Sequence, residues 1–137
     1  MTPVQGIVAK LLATAGVTAF VAQRIRTTQA DETDTLPYVL LFIVSDGSEY
    51  HMAGETGLAR CRLQVDCWGA SPLEALDVSE AVRAALSGFR GLAGTVQIRR
   101  CHRIDRNGPE LFGPVNASQK GKYRVRMDFS IDYHESV

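Results

Sequence analysis

The chain has 137 residues, 45% of them hydrophobic and 22% charged, with fifteen basic residues balancing fifteen acidic ones. That composition is globular and sufficient for one domain, residues 1–137, with a real core, which excludes the disordered and fibrous classes. No apolar run approaches the roughly 20 residues that a bilayer span needs, and no basic segment followed by an apolar block and a small-residue cleavage site opens the chain, so the expectation is a cytosolic protein with no membrane partner.

Thr2, Pro3 and Gln5 form a capping box, and Val4, Ile7, Val8, Leu11 and Leu12 keep the helical repeat, which predicts a first helix ending near Gly16. A short turn over 17–22, itself a candidate for helix, follows, then an acidic linker ending in Leu36-Pro37. Tyr38 to Ser45 is a near-continuous apolar run and reads as a central strand, with a loop from Asp46-Gly47 through Gly54 and Gly57.

Residues 59–89 carry the clearest local signals. Cys61, Leu63, Val65 and Cys67 alternate with Arg60, Arg62, Gln64 and Asp66, a strand with one core face and one wet face. Ser71, Pro72 and Glu74 then open a second helix, whose apolar residues Ala75, Val78, Val82, Ala85, Leu86 and Phe89 share a face, and Gly88 supplies a left-handed stop. A third strand is predicted from Thr95 to Ile104 and a fourth from Lys122 to Tyr133, separated by a long loop over 106–121 whose Leu111 and Phe112 read either as an exposed docking pair or as a pair folded back onto the domain edge. The order αββαββ predicts an α+β fold, one antiparallel or mixed four-stranded sheet with two helices on one face.

The charge is unevenly spread. Residues 97–126 hold eight bases against two acids, and residues 27–59 hold six acids and no Lys or Arg. The wet faces of the second and fourth strands both run from Arg to Asp, so adjacent strands should be antiparallel with cross-strand Arg–Asp pairs.

Residue types for known chemistries are present without the spacing that those chemistries need. Cys101, His102 and Asp105 are the nearest approach to a nucleophilic cluster, but Cys101 and His102 take opposite faces of a strand. His51, His102 and His134 are dispersed, and no Cys-x-x-Cys or phosphate-binding Gly-rich motif occurs. Cys61 and Cys67 lie roughly 20 Å apart along one strand, too far to bridge. The residues therefore point away from an enzyme, a metal and a cofactor. Trp68 to Ser71 is the only candidate junction for a small-molecule-binding regulatory domain.

The first helix with LLATAGVTAFVAQRI, the LPYVLLFIVSDGSEYH strand and loop, the ARCRLQVDCWGASPLEALDVSEAVRAAL block and the closing GKYRVRMDFSIDYHE strand together resemble the tail completion or tail terminator proteins of long-tailed phages and gene transfer agents. The resemblance implies a structural virion protein, assembled in the host cytoplasm, that forms a homo-oligomeric ring, typically a hexamer. The ring caps the tail tube at its head-proximal end, stops tube growth and meets the head-tail connector, with DNA only as passing cargo. A connector or head-closure component is the neighbouring alternative.

A ring needs one patch to meet a different patch on the next copy. The candidate interface therefore joins acidic Asp31, Glu32, Asp34, Asp46 and Glu49 to basic Arg99, Arg100, Arg103, Arg106, Lys120 and Lys122, with Leu111 and Phe112 as an apolar docking pair.

Overall fold

The computed structural model describes residues 2–30, 34–51, 54–113 and 121–134, excluding the side chains of 48–51 and 54–57. Its elements are α1 (Pro3–Leu12), α2 (Ala15–Val21), β1 (Ile25–Thr27), β2 (Tyr38–His51), β3 (Gly54–Gly69), α3 (Pro72–Leu86), β4 (Gly91–Ala93), β5 (Val96–Phe112) and β6 (Lys122–His134). The strands form one curled, six-stranded sheet in the order β1-β2-β3-β6-β5-β4. β1 pairs with β2 in parallel, and every other neighbouring pair is antiparallel.

This corrects the expected four strands and two helices. The first helix stops at Leu12, four residues short of Gly16, because Thr14 turns extended (φ −100°, ψ 108°) while its hydroxyl donates to the Lys10 carbonyl at 2.7 Å. Thr14 then serves as the N-cap of α2, a third helix. β1 and β4 have three residues each, too short to show a period of two.

Two expected loops are largely strand. β2 continues six residues past Ser45, pairing with β3 out to His51 opposite Gly54, and β5 continues eight residues past Ile104 to Phe112. Asp-Gly and Gly-Pro are turn formers locally, but here the ladder overrides them. Gly108-Pro109 only shifts the register between Asn107 and Glu110.

All three helices cover one face of the sheet. Ile7 and Leu11 of α1, Val17 and Val21 of α2, and Val78, Val82 and Leu86 of α3 join alternate residues of the strands, Phe129 and Leu63 at the centre, in one buried cluster. A smaller cluster of Tyr38, Leu40 and Trp68 occupies the opposite face, so only the first four residues of β2 are buried on both sides.

The passage from β3 to α3 is tight. A Cβ on Gly69 would stand 2.6 Å from the Ala75 backbone nitrogen, so strand and helix meet there backbone to backbone. Ser71 Oγ accepts from the Glu74 amide at 3.1 Å, and the Glu74 carboxylate accepts from the Ala70 amide at 2.9 Å rather than from Ser71. At the other end Gly88 (φ +77°) stops the chain's helical run, and its amide donates to the Cys101 carbonyl at 2.8 Å, fastening the end of α3 to β5.

Candidate functional site

The open face of the sheet, opposite the helices, carries an ion-pair ladder across β3 and β6. Arg60 reaches Asp132 at 2.7 Å, Arg62 reaches Asp128 at 2.6 Å, and Arg126 Nε donates to Asp66 at 3.2 Å. Arg60 and Asp132 stand directly opposite each other, as do Asp66 and Arg126, whereas Arg62 and Asp128 meet on the diagonal. The antiparallel pairing expected from the charge order is thus present, and with it the Arg–Asp pairs.

Asp66 lies under two guanidiniums, Arg126 at 3.2 Å and Arg124 at 4.0 Å, with its side chain 3% exposed. Burial pushes its carboxyl above the usual carboxylate range in spite of both arginines. Asp132, half open to water, moves the other way because Arg60 donates to it.

Beside this ladder sits an aromatic cluster ringed by cations. Phe112 packs edge-on against Trp68 with ring centroids 5.2 Å apart, and Arg124 lies 4.4 Å over Phe112. Lys122 Nζ stands 4.6 Å over the Trp68 ring and donates to the Tyr38 hydroxyl at 3.1 Å. Phe112 and Lys122 are thereby folded onto the chain itself, while Leu111, next to Phe112, is 55% exposed. The expected Leu-Phe docking pair is split into a packed residue and an exposed one. Sequence reading missed this cluster, because Phe112 belongs to a strand whose second half had the composition of a loop.

The acidic candidates separate as well. Asp34 faces Arg26 in a two-pronged pair, 3.2 Å on each side, with its carboxylate buried, so its charge is neutralised within the chain. Asp46 is exposed on β2 and accepts from the Tyr133 hydroxyl at 2.7 Å. Glu49 lies on β2 with its side chain outside the description, and Asp31, Glu32 and Lys120 lie outside the described residues.

Arg99, Arg100, Arg103 and Arg106 share β5 but not one face. Arg100 stands opposite Asp132 on the open face, whereas Arg103 and Arg106 stand opposite the core residues Phe129 and Met127. Arg106 reaches Glu80 of α3 at 3.5 Å, where Glu80 also pairs with Arg83. Arg99 lies 2.9 Å from His134, in the register shift between Ile98 and Arg100.

The thiols are core residues. Burial pushes Cys61 and Cys101 up to about 12 and raises Cys67 as well, so none offers a thiolate near neutral pH. Among the described residues no single helix is long and apolar enough to cross a membrane.

Comparison with known proteins adds two kinds of likeness. A chain in a solved structure of the virion of a native gene transfer agent particle superposes with a TM-score of 0.70 at 16% identity, over 93% of this chain and 91% of that one. A second solved structure gives a TM-score of 0.60 at 12% identity, over 92% of this chain and 90% of the other. At such identities the likeness concerns the fold. A search of curated proteins gives no match. The model of the family described as "Tail completion protein gp17" matches residues 5–110, from α1 to the far half of β5. The chain belongs to that tail completion protein family.

Proposed function

We propose that this tail completion protein is a single-domain structural component that closes into a ring, a hexamer, on the head-proximal end of a tail tube. There it stops tube growth and offers a surface to the head connector. The role is architectural and calls for no catalytic group, metal or cofactor. The observation that carries the reading is the family match over residues 5–110, and the fold shared with a chain of a gene transfer agent virion accords with it.

The surface suits such a role. Along β3 and β6 the open face offers guanidiniums already engaged by carboxylates. DNA could pass such a face without being held, since phosphate binding draws on cations free to replace counterions. Asp46 and Glu49 on β2, and Arg99, Arg100, Arg103 and Arg106 on β5, form the two sides of the contact between copies, with Leu111 exposed for the tube or the connector.

Removing the gene from a genome that produces the particles tests the reading. Overlong tubes without heads are expected. Tubes of normal length that merely fail to join heads would overturn it in favour of a head-closure component.

A further inference from the structure

Both long outer strands of the sheet are left partly bare. β1 covers β2 only over Val39–Leu41, and β4 covers β5 only over Val96–Ile98, with Gly88 adding one bond at Cys101. Among the described residues nothing pairs with the outer side of β2 over 42–47 or of β5 over 102–107. A bare strand edge is a template for another strand.

Three features make these two edges complementary. Three antiparallel steps separate β2 from β5, so the two run in opposite directions. They also lie at the same level: Ile43 is in line with Arg103 through Leu63 and Phe129, and Gly47 with Arg100 through Arg60 and Asp132. A rotation about an axis along the strands keeps directions and levels, so it would bring β5 of one copy beside β2 of the next, antiparallel and in step. Finally, each edge has a register shift, between Ile43 and Ser45 and between Arg103 and Asp105, that leaves an exposed aliphatic residue: Val44 at 53% and Ile104 at 45%.

Charge selects the partner. At the shared level Asp46 of one copy lies opposite Cys101 of the next, two residues from Arg103, whereas two β2 edges would set Asp46 against itself. β2 against β5 thus brings opposite charges together, and such a head-to-tail contact generates a ring where the rotation closes. Resting on the ring reading above, we propose that the occupant of each bare edge is a second copy of this chain, residues 42–47 of one lying level with 100–105 of the next to continue the sheet from copy to copy.

Cysteine pairing tests this. Within one chain Val44 and Ile104 are three strand spacings apart, about 14 Å, beyond disulfide reach. Copies bearing Val44→Cys are mixed with copies bearing Ile104→Cys on purified tail tubes and oxidised, with rings checked by electron microscopy and folding by melting temperature. A disulfide dimer in the mixture, absent from either variant alone, is expected. Rings without that dimer overturn the edge pairing and leave the ring standing, and dimers in a single variant overturn the head-to-tail arrangement. Absence of rings, even on tubes, overturns the ring and the pairing together. Amide exchange on the unsubstituted protein gives an independent reading: amides in 42–47 and 100–105 should slow in the ring at least tenfold relative to dilute monomer, and unchanged exchange in intact rings overturns the pairing.

Discussion

The Tyr133 hydroxyl donates to the Asp46 carboxylate at 2.7 Å, reaching across β3 from β6 to β2. The bond ties the outer half of β2 to the centre of the sheet, beyond the reach of the helices. Tyr133→Phe should cost about 1 kcal/mol in urea unfolding, the usual net worth of a hydrogen bond, and should speed amide exchange in 44–47. An unchanged midpoint would mean that water serves Asp46 equally well.

Asp66 and Asp132 should respond to pH in opposite senses. Burial raises the Asp66 carboxyl, so the folded chain holds that proton more tightly than the unfolded one. Its contribution is therefore fully present below the unfolded value of about 3.9 and lost as pH rises through the native value. The stability difference between the native protein and Asp66→Asn should fall as pH rises from about 4. Asp132 is lowered by Arg60, so its contribution is lost as pH falls. The matching difference for Asp132→Asn should shrink towards acid, and urea titrations of both variants across pH distinguish the two slopes.

Gly69→Ala should be among the most damaging single-methyl additions. The new Cβ would meet the Ala75 nitrogen at 2.6 Å and the Glu74 carbonyl carbon at 3.1 Å, both backbone atoms of the first turn of α3. Since neither can swing aside as a side chain would, a loss of about 3 kcal/mol is expected. Thermal and urea unfolding measure it, and Gly47→Ala, with open space around it, is the matched control.

Leu111 and Phe112 should separate assembly from stability. Phe112→Ala removes the ring held between Trp68 and Arg124 and should lower stability by about 2 kcal/mol. Leu111→Ala, at an exposed position, should leave the melting temperature within about 2 °C. Loss of tube capping by Leu111→Ala with unchanged melting would assign Leu111 to the contact with tube or connector, and full capping would remove it from the interface.

What the sequence made legible follows the strength of its local signals. The strand over 59–67 and the capped α3 were readable because alternation and capping both act within a few residues. The Arg–Asp ladder was readable because charge order along two strands constrains their pairing. The outer halves of β2 and β5 were not, since Asp46-Gly47 and Gly108-Pro109 are turn formers unless a partner strand holds them. The fate of Asp34 was hidden for a different reason: nothing in the acidic linker sets it apart from Asp31, and only the fold brings Arg26 to it.

β6 lies at the middle of the sheet, between β3 and β5, although it is the last of the six strands along the chain. Its hydrogen-bonded ion pairs with β3 join residues 60 to 72 positions apart, and pairings this distant in sequence form late and slowly. Until the chain is made through residue 134, β3 and β5 have no common neighbour and the sheet exists as two unjoined halves. The two outer edges, β2 with β3 on one side and β5 on the other, therefore acquire their shared level only once β6 is in place between them.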